Sequence, residues 1–346
     1  MNRRILAPLL VLLAITGLFA AGCGDDDSGG AATTATTATT AAASGAADLD
    51  GVKLRVAQVG KSLSPILEYA GEDDTPYELE WSSFDAAPPV IQALQGDAAD
   101  IGISSDLGVI SAVGNGSPIK AVAATEVPGV GQQILVPRGS SIRSIADLRG
   151  KKIAVFRGSA GEGFLAQALK NEGLSADDVE ITNLPPAQAA AAFNSGNVDA
   201  WAIWEPMATS TVLTAGAEKI ADGSEFWRTR SFIDANPKAL DDEQRSAAIA
   251  DFLERFARST RYLAANRAGW ARKFAEVNRI DQAVADQAAE ALSMELIPVD
   301  GETAAKLRES QDLYLEVGAI RRTIDPDELL VPTFTDNINA GLAGGN

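Results

Sequence analysis

The sequence predicts an α/β protein made of two similar units that face a common cleft. Three observations lead there: strand and helix patterns alternate from Val52 onward, a weak repeat links two parts of the chain, and at 146–169 a strand hands over to a helix through a turn of small residues.

The elements follow in chain order. Residues 54–59 read as a strand, 64–69 as a short helix, and 77–81 as an alternating strand after the Asp73-Asp74-Thr75-Pro76 turn. Pro88-Pro89 opens a helix over 90–95 that Gly96 closes, and 100–103 is the next strand. This β-α-β-α-β order belongs to a layer of parallel strands. The segment Ala93-Leu94-Gln95-Gly96-Asp97 with Asp100-Ile101-Gly102-Ile103 recurs as Ala192-Phe193-Asn194-Ser195-Gly196-Asn197 with Asp199-Ala200-Trp201-Ala202-Ile203. A proline pair, Pro88-Pro89 or Pro185-Pro186, opens the helix in both copies. Each copy then ends its strand at a loop, Ser104-Ser105-Asp106 in one and Trp204-Glu205-Pro206 in the other. Ligands of open α/β sheets lie beyond the carboxyl ends of the strands, so both loops are candidates for the cleft lining, although each also fits an ordinary strand end.

Residues 152–156 form a short β-branched strand that stops at Arg157-Gly158. Ser159 suits an N-cap, Gly161 and Gly163 leave the backbone bare, and Phe164, Leu165, Ala168 and Leu169 share one helical face. Such a helix start offers unpaired N–H groups and the positive end of the macrodipole to an anion. The same residues, Ser159-Ala160-Gly161-Glu162, also fit a capping box, in which hydroxyl and carboxylate satisfy the backbone without a ligand. Farther on, Asp241 or Asp242 starts a helix with Ile249, Phe252, Leu253 and Phe256 inward. Helices over 269–277, 282–294 and 303–317 follow, the last closed by Gly318. Trp227 and Trp270 fit buried packing better than a cleft wall, and 339–346 reads as a frayed tail.

Composition narrows the chemistry. The 346 residues are 46% hydrophobic and carry 47 acidic against 29 basic side chains, a net charge of -18. That leaves room for two cores and argues against nucleic acid and against a basic lipid-binding patch. The chain has no histidine, which excludes Ser-His-Asp and Cys-His catalysis and His-ligated zinc. Cys23 is the single cysteine, so neither an internal disulfide nor a thiolate cluster can form, and no cofactor or metal is expected.

At the N-terminus, Arg3 and Arg4 precede an apolar run over 5–21 and small residues that end at Cys23, the pattern of an export signal. Its end resembles the lipobox of bacterial lipoproteins, with Ala20 where leucine is usual. The resemblance implies lipidation of Cys23, which becomes the new N-terminus. Residues 24–51, rich in Ala, Thr and Gly, read as a flexible linker.

Two stretches, PYELEWSSFDAAPPVIQALQGDAADIGISSD and QQILVPRGSSIRSIADLRGKKIAVFRGSAGEGFLAQALKNEGLSADDVEITNLPPAQAAAAFNSGNVDAWAIWEP, resemble the aliphatic sulfonate-binding proteins of ABC importers, a group that also holds taurine- and nitrate-binding proteins. The similarity is dense over 54–206 and looser to about 325. It implies a type II periplasmic-binding-protein fold, with domain I formed by 52–132 and 238–336, domain II by 133–237, and a disordered tail over 337–346. It implies that an anionic head is held by Ser104, Ser105 and Asp106, by Gln132 and by Gly158, Ser159 and Ala160, with Trp204 and Glu205 on the other side. Relatives often have histidine where Glu162 stands. If Glu162 faces the cleft rather than capping its helix, a carboxylate there beside Glu205 and Asp106 repels an anion and suits the amine of a zwitterion such as taurine. The implied role is non-enzymatic: a monomeric, lipid-anchored component on the outer face of the cell membrane that passes a small sulfonate-type anion to an ABC permease and its ATPase. Taurine or another amine-bearing ligand, nitrate, a thiamine precursor, or a ligand-sensing lipoprotein are the alternatives. Enzymes of this architecture that make the thiamine pyrimidine depend on histidine, which is missing here.

Overall fold

Two mixed sheets, each built on three parallel strands, organise the structure, a computed structural model that describes residues 48–126, 128–227, 230–289, 291 and 293–344. In the first, β1 (Lys53–Val59), β2 (Glu78–Phe84) and β3 (Ile101–Ser105) are joined through α1 (Ser64–Ala70) and α2 (Ala87–Gln95). α2 carries its prolines in the first turn, where the missing N–H costs nothing, and buries Val90, Ile91 and Leu94. α3 (Asp106–Gly114) follows β3 with no intervening loop and leads to β4 (Lys120–Glu126).

The chain then crosses through Pro128 and the short 3-10 turn Gly129–Gly131 into the second sheet. There β5 (Gln132–Val136), β6 (Lys152–Val155), α4 (Ala160–Asn171), β7 (Glu180–Asn183), α5 (Pro186–Asn194), β8 (Ala200–Trp204), α6 (Met207–Ala215) and β9 (Glu218–Asp222) follow one another. It returns as β10 (Arg230–Ala235). The orders are β11-β4-β10-β3-β1-β2 and β7-β6-β8-β5-β9, β11 being Glu295–Ile297. Both sheets thus place an antiparallel strand that has just come from a crossover, β10 or β5, beside three parallel ones. The sequence repeat is a repeat of topology. One boundary moves: β10 pairs with β3 and β4, so the chain is back in the first sheet by Arg230, whereas 133–237 was expected to belong to the second unit.

The crossovers touch backbone to backbone. A Cβ on Gly129 would run into the carbonyl oxygen of Gly223 and come within 2.5 Å of the Trp227 carbonyl oxygen. One on Gly223 would meet the Gly129 carbonyl oxygen and lie 2.6 Å from Trp227 Cβ. Only glycine permits that approach from both sides.

The remaining helices cover the first sheet: α7 (Pro237–Asp241), α8 (Glu243–Ala265), α9 (Arg267–Asn278), α10 (Gln282–Ala288), α11 (Gly301–Glu316), α12 (Pro326–Leu329) and α13 (Thr335–Ala343). Asp242 caps α8 by accepting from Arg245 N–H at 2.9 Å, and Ile249, Phe252, Leu253 and Phe256 are buried as their spacing predicts. At about 1.5–3 kcal/mol for each such side chain, this face is a main support of the first sheet. α10 ends at Ala288, short of the 282–294 expected. α13 replaces the expected disordered tail: Ile338 is buried, and a Cβ on Gly341 would strike the Glu254 carbonyl oxygen of α8. At the other end Leu49 joins the apolar cluster of α8, so the linker gives way to packed chain before Gly51.

The apolar cluster that contains Val90, Leu107 and Ile110 of the first unit also contains Phe164, Leu165 and Tyr314, which binds α4 of the second unit to α3 and α11 of the first. No helix among the described residues is long and apolar enough to cross a membrane. The expected export signal, Cys23 and residues 24–47 lie outside the described residues.

Candidate functional site

A cleft of about 650 Å³ opens between the two sheets. Its lining includes Ser104, Ser105, Gln132, Ser159, Ala160, Trp204 and Glu205, brought together from the ends of β3 and β8, the start of β5 and the start of α4. Asp106, Gly158 and Glu162 are not part of it, and each departs for a local reason.

Asp106 is the first residue of α3 and is turned away from the cleft. Its carboxylate accepts from Tyr314 O–H at 3.0 Å and from Ser310 O–H at 2.9 Å, both on α11. Ser105 serves as the N-cap of α3, its Oγ accepting from Gly108 N–H at 3.2 Å while donating to the Gly158 carbonyl at 3.4 Å across the two units. Gly158 therefore contributes a carbonyl to the joint between the units. Its positive φ of 74° is the turn that lets β6 pass into α4.

The capping box expected at 159–162 does not form. Ser159 Oγ donates to the Phe156 carbonyl at 2.6 Å, and Ser159 N–H donates to the same carbonyl at 3.2 Å. Glu162 accepts instead from Gly158 N–H at 2.7 Å, one residue upstream of the box position. Burial pushes the Glu162 carboxyl above its ordinary value, opposed by that N–H. Because the Ser159 side chain caps none of the helix, the N–H groups of Ala160 and Gly161 open α4 with no carbonyl above them. They form the end of a dipole that favours negative charge.

Glu205 lines the cleft, but its carboxylate is occupied. It accepts from Thr209 N–H at 3.0 Å, Thr209 O–H at 2.7 Å and the Gln133 amide at 2.6 Å, and so caps α6. Burial raises its pKa, with the Thr209 hydroxyl pulling the other way. Gln132 presents a half-buried amide whose Oε1 has no partner among the described residues. Trp204 belongs to an apolar wall with Trp201, Met207 and Pro186.

The NMT1/THI5-like family profile matches residues 86–267, a span that contains both strand ends and the start of α4. The chain belongs to the NMT1/THI5-like family. Among its relatives is a protein of Escherichia coli (strain K12) named for binding aliphatic sulfonates, 31% identical over 250 residues, which are 72% of this chain and 77% of that one. The alkanesulfonate-binding protein SsuA from Xanthomonas axonopodis pv. citri, solved bound to MOPS, superposes with a TM-score of 0.74 at 25% identity and covers 82% of this chain and 99% of its own. The periplasmic aliphatic sulphonate binding protein SsuA of Escherichia coli gives 0.70 at 27% identity, covering 81% of this chain and 92% of its own. The resemblance read from the sequence and the periplasmic-binding-protein fold it implied are both borne out.

In this NMT1/THI5-like chain the site also contains residues that sequence reading did not select. Trp270 and Phe274 of α9 form part of the wall, although Trp270 is at the same time 1% exposed and packed edge-on against Phe274. Lys61, just after β1, is the cation of the lining and donates to the Val277 carbonyl at 3.0 Å. A lysine at a strand end is the one signal that pattern could have offered, because α9 is brought in by long-range packing alone. Among the described residues no group of His, Cys, Asp and Glu side chains could hold a metal ion.

Proposed function

We propose that this protein is the extracytoplasmic binding component of an ABC importer that captures a small organic sulfonate and delivers it to a membrane permease and its ATPase, without catalysing a reaction. The observation that carries the reading is the uncapped start of α4 opening on a cleft beside Ser104 and Ser105, in a chain among whose relatives are two named for binding aliphatic sulfonates. Ala160 N–H, the Ser104 hydroxyl and the Gln132 amide would hold the sulfonate with uncharged donors, as a helix start suits an oxyanion, while the Ser105 hydrogen stays on the Gly158 carbonyl. The apolar wall then takes an alkyl tail, which a cleft of about 650 Å³ accommodates and which nitrate lacks. Closure of the two units over the ligand is the step the permease would read. Lipidation of Cys23, with residues 24–47 as a tether, would hold the protein at the outer face of the membrane as a monomer.

The carboxylates expected to meet an amine do not meet it, and Asp85 is the lining carboxylate that an amine-bearing ligand such as taurine would face. The three carboxylates that were to meet an ammonium are engaged elsewhere: Asp106 with Tyr314, Glu162 with Gly158 N–H, and Glu205 with Thr209. Thermal-shift titration separates the two readings, since a ligand at a hundredfold excess over its Kd adds about 2.7 kcal/mol to the folded state. Hexanesulfonate is expected to raise the melting temperature at concentrations where taurine and nitrate do not. A larger shift with taurine would reverse the ligand assignment, and no shift with any of the three would end the binding reading.

A further inference from the structure

We propose that Asp234 is a positioning residue for the bound anion: it must carry a proton for Ser104 to turn its hydroxyl hydrogen into the cleft, so that wherever Asp234 is ionised in the ligand-free chain a sulfonate is taken up together with one proton. The inference rests on the reading that the anion sits against Ser104.

Ser104 ends β3 and lines the cleft, and its Oγ lies 2.5 Å from Asp234 Oδ2 on the neighbouring strand β10. Asp234 is fully buried, and its Oδ1 has no partner among the described residues. A hydroxyl has one hydrogen to give. With Asp234 ionised, that hydrogen is held by the carboxylate, so Ser104 shows the cleft only lone pairs and a buried negative charge stands behind it. With Asp234 protonated, the acid O–H donates to Ser104 Oγ, and the Ser104 hydrogen passes to the anion in preference to its remaining acceptor, the Ser105 carbonyl at a long 3.4 Å. One proton enters from solvent, and no covalent bond is made or broken.

Among the described residues no cation pairs with Asp234. Arg230 on the same strand pairs with Glu126 of β4 and Glu302 of α11, and Lys120 of β4 donates to the Glu328 carbonyl. Asp106 of α3 is bound by Tyr314 and Ser310, and Asp100, just before β3, by Arg55 and Arg245. Burial pushes the Asp234 carboxyl up to about 8, eased by the Ser104 hydroxyl. The acid is therefore mostly protonated at neutral pH and titrates just above it. An uncompensated aspartate in a buried strand is otherwise a pure cost, and this geometry gives it a task.

The test is calorimetric titration of the full chain with hexanesulfonate between pH 6.5 and 9.5, in bis-tris propane so that no sulfonate buffer competes. Wild-type affinity is expected to hold below pH 8 and then to fall by about tenfold per pH unit. Asp234→Asn, whose amide donates permanently to Ser104, should match wild type at pH 6.5 and keep that affinity at pH 9.5, where it binds about tenfold or more tightly than wild type. At pH 9, titrations in two buffers of different ionisation heat should count close to one proton taken up per sulfonate by wild type and none by the variant. Should the variant not fold, the wild-type proton count alone decides. Tight binding that is flat with pH, or binding at pH 9 without proton uptake, overturns the role of Asp234 and leaves the sulfonate site standing. No binding of hexanesulfonate at pH 6.5 overturns both.

Discussion

Ala160→Pro is expected to weaken hexanesulfonate binding by about 10–100-fold while leaving the unfolding midpoint of the ligand-free chain within a few degrees of wild type. Ala160 is the first residue of α4, and the first helical position is where proline is best tolerated, because its N–H has no intrahelical partner. Ser159 before it has φ -97° and ψ 164°, an extended conformation that a following proline accepts. The substitution therefore removes one N–H from the cleft and little else. A hydrogen bond to a charged acceptor contributes about 1.5–3 kcal/mol, which sets the expected loss. Proline also adds bulk to the lining, so Ala160→Val, which adds comparable volume but keeps the N–H, is the control and should bind within a few-fold of wild type. Equal losses in both variants would mean that shape at this position matters and the N–H does not. The site of this test follows from the structure: Ser159 N–H is spent on the Phe156 carbonyl, so the donor open to the cleft is one residue farther along.

The second large effect concerns folding. Gly129→Ala is expected to destabilise the chain by about 3 kcal/mol, toward the upper end of what overpacking costs, because the atoms in the way are the Gly223 and Trp227 carbonyl oxygens rather than side chains that could rotate aside. The clash falls where the outgoing and returning crossovers meet, so relief would pry apart the only backbone links between β4 and β5 and between β9 and β10. Urea unfolding of the variant measures this directly. A loss below about 0.5 kcal/mol, the range of ordinary surface substitutions, would show that the crossovers are free to separate.

Much of this architecture was legible because it repeats locally. The proline pairs, the two strand ends and the glycines around 161 each depend on neighbours within a few residues, and they led to Ser104, Ser105, Ser159, Ala160, Trp204 and Glu205 in the cleft wall. What failed to show was any orientation set by a distant partner. Asp106 adjoins Ser105 in sequence, yet a strand that passes into a helix without a loop turns its side chain toward α11, where Tyr314 waits 208 positions away. Glu162 had the spacing of a capping box, but the positive φ at Gly158 offers its N–H in place of Ser159's. Trp270 reads as core by composition and is core; that it is also cleft wall depends on how α9 lies over the end of β1. The contact between Gly129 and Gly223, and the pairing of Ser104 with Asp234, join segments separated by the whole second unit, and local pattern carries no trace of either.

The central claim is that uncharged dipoles, and no cationic side chain, hold the anion between the two units. A crystal structure of the chain with hexanesulfonate bound tests it most directly. The sulfonate oxygens are expected within about 3.2 Å of Ala160 N and Ser104 Oγ, with the alkyl chain against Trp204 and Lys61 still on the Val277 carbonyl. A sulfonate paired with Lys61 at the rim, away from the start of α4, would contradict it.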